Sequence, residues 1–194
     1  MTYRRRNMSE NKVRYGVKNL HVGTYTVDDQ GEVTLGTPMK LPGTVKISMD
    51  PDSEMAEFWA DDCLYWVCYN DNGFTGEIEN ANFTDAFKVA FLNYLELADG
   101  GIAQIKGRNT SPVYLMFEGD GDEEHRRGIM YNVSLGAIKR DYETVEKTKN
   151  PQTATLPFTC YGDNETGIVK VGYPASAEGY ETLFSDPPVP TLPE

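Results

Sequence analysis

The feature that most constrains the fold of this chain is a period-two alternation of apolar and polar residues, interrupted repeatedly by turn signals. Such alternation is typical of strands with one buried face. Short strands separated by frequent turns favour a sandwich or barrel. The first predicted strands lie in 15–25, 33–35 and 45–49, with turns at 28–31 and 41–43. We therefore predict a mainly β fold, a β-sandwich or barrel.

Three hairpins are predicted in the rest of the chain. Each consists of two strands around a segment rich in Gly, Asn, Asp or Glu, residues that favour turns or solvent-exposed loops. The strand pairs and their turns are 64–69 and 74–78 around 70–73, 113–118 and 129–138 around 119–124, and 153–161 and 167–171 around 162–165.

One segment has helical rather than strand periodicity. Thr84 is a suitable N-cap. Four apolar residues fall on one helical face: Phe87, Phe91, Leu92 and Leu95. The glycines of the segment 99–101 are a usual stop signal after a helix. We predict one amphipathic flanking helix at about 84–96, with its phenylalanines packed against a sheet.

Charge divides the chain into a short basic end and an acidic body. The 194 residues carry 18 basic and 30 acidic side chains, a net charge of -12. Residues 1–21 hold six basic residues and one acid, or +5, which leaves 12 basic and 29 acidic residues, or −17, for the remainder. An acidic body repels polyanions, so general nucleic-acid binding is excluded as the default. The basic end is expected to dock through Arg4, Arg5 and Arg6 on acidic surface of an adjacent subunit.

These patterns divide the chain into three segments. We predict a basic N-terminal arm at 1–14, a β domain at 15–172 and a C-terminal arm at 173–194. Prolines at the end of the C-terminal arm cannot donate hydrogen bonds, so it is expected to be extended or loose. No secretory signal and no membrane-spanning segment are predicted.

Catalytic and metal-binding patterns are weak. Asp61 and Asp62 are adjacent, and a turn that enters the strand at Leu64 explains them better than acid–base chemistry does. The acidic loop 119–124 resembles the start of a calcium loop but lacks its glycine and its final glutamate, so a solvated hairpin tip is favoured and an adventitious cation stays open. The three cysteines are expected to be reduced and mostly buried. We therefore predict no enzyme, no cofactor and no metal.

Five segments, in order, resemble the major tail proteins of bacteriophages. The first carries the family's aromatic-Ala-Asp-Asp pattern, the third begins its single helix, the fourth is its long hairpin, and the last is its Pro-Gln-Thr strand. They are 57–65 (EFWADDCLY), 73–78 (GFTGEI), 83–87 (FTDAF), 115–120 with 127–133 (LMFEGD, RGIMYNV), and 151–159 (PQTATLPFT). The resemblance covers roughly 15–172.

This resemblance implies a tail tube subunit of a long-tailed, non-contractile phage, a virion protein that is present in the host cytoplasm during assembly. Such subunits form stacked rings, expected here to be hexameric, around a channel through which genomic DNA passes without specific binding. The implied partners are further copies of the chain, the tape measure protein, the tail terminator and the distal tail proteins, with no membrane. We expect an acidic or polar channel wall, built from an even number of strands per subunit, with Glu77, Glu79 and Glu118 as candidate lining residues.

Two other functions remain open from the sequence. The chain is also compatible with a distal-tail or head–tail connector protein of a virion. A carbohydrate-binding β-sandwich would use Trp59, Trp66 and the many tyrosines as an exposed platform. Against that function, Trp66 lies in an apolar strand and is expected in the core.

Overall fold

A computed structural model describes residues 15–107, 109–120, 125–142, 144 and 152–192. The fold is mainly β, with antiparallel pairing and one short helix, α1 (Asp85–Phe91). The strands are β1 (Tyr15–Val27), β2 (Val33–Leu35), β3 (Met39–Lys40), β4 (Thr44–Ala60), β5 (Cys63–Asn80), β6 (Leu95–Glu96), β7 (Ile102–Ala103), β8 (Val113–Asp120), β9 (Arg127–Leu135), β10 (Lys139–Arg140), β11 (Ala154–Cys160) and β12 (Lys170–Tyr173).

Ten of these strands form one sheet. Its main path runs β2-β1-β8-β9-β11-β5-β4, while β3 pairs with β1, β10 with β11, and β12 with β9. Strands β6 and β7 form a separate two-stranded sheet. The mainly β prediction is confirmed at this level.

The central strands are buried on both faces. Along β8, Val113 and Leu115 point into one apolar cluster, and Tyr114 and Met116 point into another on the opposite face. The first cluster includes the helix residues Phe87 and Phe91 and most of the core. The second is closed by Leu183 from the C-terminal segment.

Helix α1 begins as predicted and ends earlier than predicted. Thr84 is its N-cap, and its hydroxyl accepts a hydrogen bond from the Phe87 amide at 3.3 Å. The helix stops at Phe91, because Asn93 takes a left-handed conformation with φ 55°. Beyond it, β6 and β7 form a small hairpin whose turn is the 99–101 segment that was predicted to end the helix.

One predicted turn and the strand pairing of one predicted hairpin are wrong. Residues 70–73 do not reverse the chain, since β5 runs without a break from Cys63 to Asn80. The chain reverses direction at Asp61 and Asp62 instead, between β4 and β5. The sequence had indicated a turn there, leading into the next strand. Residues 162–165 do turn, but the strand that follows them, β12, pairs with β9 and not with β11.

The C-terminal segment 174–192 forms no strand or helix, as predicted, but it packs on the sheet. Tyr180 and Leu183 are buried. The Arg127 guanidinium lies 3.9 Å from the Tyr180 ring centroid and 4.8 Å from that of Phe184. The Tyr131 hydroxyl donates to the Pro188 carbonyl at 2.8 Å. Among the described residues, no helix has the length and apolar character needed to span a bilayer.

Candidate functional site

The outer halves of β4 and β5 form a hairpin that leaves the sheet; we name residues 53–71 the arm. The pairing of β5 with β11 ends at Phe74, opposite Cys160. Beyond that point, β4 and β5 pair with each other and with no other described strand, from Ser53 opposite Asp71 to Ala60 opposite Cys63. The arm is therefore a two-stranded ladder attached to the sheet at one end.

Local sequence explains both ends of the arm. At its tip, Asp61 and Asp62 have φ values of 50° and 58°, as a two-residue hairpin turn requires, and aspartate tolerates this left-handed region better than most residues. At its root, Gly73 has a φ of 100°, and a Cβ there would lie 2.1 Å from the Cys160 carbonyl oxygen. Only glycine fits where β5 passes this close to β11.

Large apolar side chains are exposed on both faces of the arm. Phe58 and Trp66 lie opposite each other across the ladder, with 58% and 53% of their surfaces exposed. Met55 and Tyr69 form a pair on the other face. The full exposed set on the arm is Met55, Phe58, Trp59, Leu64, Tyr65, Trp66, Val67 and Tyr69. Large exposed apolar side chains grouped on one element are typical of interaction sites, so the arm is the candidate site.

The exposure of Trp66 corrects the sequence analysis, which expected this residue in the core. The apolar strand was identified correctly, but within one copy of the chain nothing described covers it. The cysteines differ from expectation in the same region: Cys63 at the tip is exposed, Cys68 is half-buried, and Cys160 is buried.

The arm is also strongly acidic. Residues 50–72 contain seven carboxylates and no Lys or Arg; the acids are Asp50, Asp52, Glu54, Glu57, Asp61, Asp62 and Asp71. Strand β4 ends the path of the main sheet, so its outer backbone edge has no ladder partner among the described residues. Charged side chains on such an edge discourage indiscriminate strand pairing.

A groove lies beside the root of the arm, between β1 and the sheet half of β4. These two strands approach each other across it but form no ladder in the described part of the chain. The groove encloses about 300 Å³, and its apolar floor includes Ile47, Met49 and Phe117. The described lining includes Arg126, Arg127 and Lys170, and the Arg127 guanidinium is itself paired with Glu118.

The three candidate channel residues are not brought together. Glu77 and Glu79 lie two residues apart on β5, on one face of the strand, and Glu79 accepts a 2.6 Å hydrogen bond from the Thr153 hydroxyl. Glu118 is buried on β8, with the Arg127 Nε at 3.2 Å and the Lys18 Nζ at 3.3 Å. Their role in a channel stays a prediction.

Hydrogen bonds hold Glu118 in its charged form. Burial raises the pKa of the Glu118 carboxyl, but hydrogen bonds from Asn19, Lys18 and Arg127 outweigh burial, so the pKa lies below its ordinary value. Asp163 is similar: burial raises its pKa, and hydrogen bonds from Thr166 and Tyr25 bring it below the ordinary value. Both carboxylates accept hydrogen bonds from several neighbouring side chains, which is typical of groups that stabilise the fold.

The other candidates from the sequence stay apart. Arg4, Arg5 and Arg6 lie outside the described residues, as do residues 121–124 of the acidic loop. Within the described ranges, no three His, Cys, Asp or Glu side chains are grouped as metal ligands. The His21 ring stacks on Phe184 with the ring centroids 4.6 Å apart, a packing contact with the C-terminal segment.

The sequence matches no model of a known protein family and no curated protein. The resemblance to phage major tail proteins is therefore carried by the segments quoted above. Of those segments, 57–65 contains the turn of the arm and most of its tip. The arm itself was missed by the sequence analysis; its signal was a pair of aspartates between two strands that are apolar on both faces.

Proposed function

We propose that this protein is a structural virion subunit that assembles through its arm into stacked rings, forming the tail tube of a long-tailed, non-contractile phage. The observation that carries the proposal is the arm: a protruding ladder with eight exposed apolar side chains and an outer edge that no described strand pairs with. A protein that worked as a single copy would gain nothing from this surface, which favours association.

The charge of the chain supports the same function. A conduit should repel the DNA that passes through it, and a net charge of -12 does so at short range. In the proposed ring, Glu77 and Glu79 face the channel with other acidic or polar side chains. The ring is hexameric, its partners are the tape measure, terminator and distal tail proteins, and the protein is not an enzyme.

The arm also suits a repeating assembly. Two acidic arms repel each other, so the arm is expected to dock on a different surface of the next copy, and such a heterologous contact generates a ring or an open filament. A chain of identical copies joined in this way needs no other protein for its first contacts.

The test is assembly of the full chain with and without the arm. In the arm-deletion variant, residues 54–70 are replaced by Asn-Gly, which joins the opposed residues Ser53 and Asp71 by a tight turn and keeps the rest of the ladder. Light scattering and negative-stain microscopy should show rings and tubes for the full chain and single copies for the variant. A full chain that stays monomeric at high concentration, even with a tail initiator complex added, would contradict the proposal.

Two alternatives have specific support. The exposure of Trp59 and Trp66 removes the main argument against a carbohydrate-binding module, because both side chains are available as a platform. Binding of the full chain to a glycan panel, lost on Trp66→Ala without any change in oligomeric state, would favour that function. Isolated rings that never stack into tubes would favour a distal-tail or connector protein.

A further inference from the structure

We propose that the second apolar face of the sheet is a peptide-docking groove, and that residues 180–190 of the C-terminal segment occupy it as a displaceable ligand. This inference does not depend on the arm and goes beyond the proposed function. The partner that fits the groove is a protein with an exposed segment of the same chemistry as the present occupant. The side chains of the groove come from β1, β8 and β9 and are Tyr25, Tyr114, Met116, Ile129 and Tyr131.

The occupant is anchored by one leucine and two aromatic rings. Leu183 is fully buried in the same cluster as the side chains of the groove. The Arg127 guanidinium lies 3.9 Å from the Tyr180 ring centroid and 4.8 Å from that of Phe184, and the His21 ring stacks on Phe184. Buried aromatic anchors and an arginine are typical of the residues that dominate binding energy in protein interfaces.

The sheet positions Arg127 without help from the occupant. The Nε of Arg127 donates to Glu118 at 3.2 Å, and Glu118 is itself held by the Lys18 Nζ at 3.3 Å and the Asn19 Nδ2 at 3.2 Å. The guanidinium is thereby oriented so that its second nitrogen donates to the Tyr180 carbonyl. A donor that is fixed before binding loses less conformational entropy when the ligand arrives.

The occupant is held by side chains and adds no strand to the sheet. Strand β12 ends at Tyr173, and the ladders that join β1, β8, β9 and β12 do not include the segment. Near its end, the Pro188 carbonyl accepts a hydrogen bond from the Tyr131 hydroxyl at 2.8 Å. Aromatic-lined grooves are common docking sites for proline-rich segments. Release of the segment would therefore leave these ladders in place.

The segment also carries its own turns. The amides of Ser185 and Asp186 donate to the Thr182 carbonyl at 2.9 Å and 2.8 Å, and the Tyr180 amide donates to the Ala177 carbonyl at 3.1 Å. These bonds join residues three or four positions apart, so a separate peptide of the same sequence can form them. Such a peptide can present the same side chains to the groove at a lower entropic cost than an unstructured chain.

The first test empties the groove in the full chain and supplies the segment as a peptide. Leu183→Asp buries a charge among aromatic rings and should release the segment. The residues described in the larger apolar cluster all precede 174, so this variant should stay folded in a urea titration. A fluorescent peptide of residues 174–192 should bind the variant, measured by anisotropy, and the same peptide carrying Leu183→Asp should not.

The unmodified chain should bind the peptide much more weakly than the variant does. A tethered segment competes at an effective concentration of about 1 mM, so docking in about 99% of copies needs a dissociation constant of about 10 µM and weakens the peptide about 100-fold. A third peptide keeps two aromatic residues four positions apart, the leucine before the second and the proline four positions later, with serine elsewhere. It should bind the variant within about tenfold of the native sequence, and its failure would overturn the stated partner chemistry.

A substitution in the groove tests the contact from the other side. Tyr131→Phe, added to the Leu183→Asp chain, keeps the ring and removes the donor to the Pro188 carbonyl, so peptide binding should weaken about fivefold. Tyr142→Phe is the matched control, because Tyr142 is 84% exposed and lies outside the cluster, and it should have no effect. Equal effects of the two substitutions would contradict the docking contact.

Amide hydrogen exchange of the unmodified chain gives an independent measurement. The amides of residues 180–186 should exchange faster than those of β8 and β9, since release opens the segment while the sheet stays folded. Equal protection, or a Leu183→Asp chain that no longer folds, would show that the segment is part of the cooperative core and would overturn the inference. A folded Leu183→Asp chain that ignores the native peptide would overturn it as well.

Discussion

The substitution Trp66→Ala tests the arm with the least disturbance of the fold. An aromatic side chain buries about 150–250 Å² when covered, and 53% of Trp66 is exposed, so about 100 Å² remains for a partner to cover. At about 25 cal/mol per Å², loss of that contact weakens association by about 2.5 kcal/mol. This corresponds to a dissociation constant about 60-fold higher for each contact between copies.

Sedimentation velocity over a concentration series measures this change directly. The matched control is Tyr142→Ala, which removes an aromatic side chain that is 84% exposed and lies outside the arm. Both variants should unfold in urea within about 0.5 kcal/mol of the unmodified chain, because neither residue packs in the core. If Trp66→Ala assembles at the same concentration as Tyr142→Ala, the arm is not the assembly surface and the argument from its exposure fails.

Three further predictions address other parts of the chain. The triple alanine variant of residues 4–6 should assemble with a weaker salt dependence than the unmodified chain, measured by light scattering from 0.1 M to 1 M salt. The reason is that the Debye screening length shortens from about 10 Å to about 3 Å over this range, which weakens contacts made by the arginines. An unchanged salt dependence would mean that the basic segment takes no part in assembly. Burial lowers the pKa of His21 from 6.5, so the unfolded state binds the proton more readily and stability falls as pH drops below 6.5; urea unfolding should show that His21→Gln reduces this pH dependence, and an equal slope would contradict it. A maleimide should label Cys63 in single copies and spare Cys160, whose pKa burial raises to about 11; labelling of Cys63 at the same rate in assembled protein would argue against a docked tip.

Local signals in the sequence were sufficient to predict where α1 begins but not where it ends. The Thr84 cap and the phenylalanines at helical spacing act over one or two turns, so they can be identified without tertiary contacts. Leu95 fits the same helical face, yet in the structure it pairs with Ala103 in a small hairpin. A longer helix and a hairpin both fit the local sequence at Leu95. Pairing with β7 favours the hairpin.

The arm was missed for a related reason. Residues 70–73 and residues 61–62 both favour a turn, because Asn, Asp and Gly all tolerate left-handed backbone. The choice depends on β11, which pairs with β5 from Phe74 to Asn80 and holds that strand straight. The apolar character of Trp66 was taken as evidence of a core, since the sequence does not distinguish burial within one copy from burial between copies.

The charge pattern explains how an exposed apolar arm avoids indiscriminate association. Two arms that met edge to edge would bring ten carboxylates together without a basic residue, since each arm carries five in 53–71. Outside 50–72 the chain carries 18 basic and 23 acidic side chains, so the acidic excess is concentrated in and next to the arm. Repulsion between arms therefore favours docking of an arm on a different surface of the next copy, and such a heterologous contact between identical copies is what the proposed tube requires.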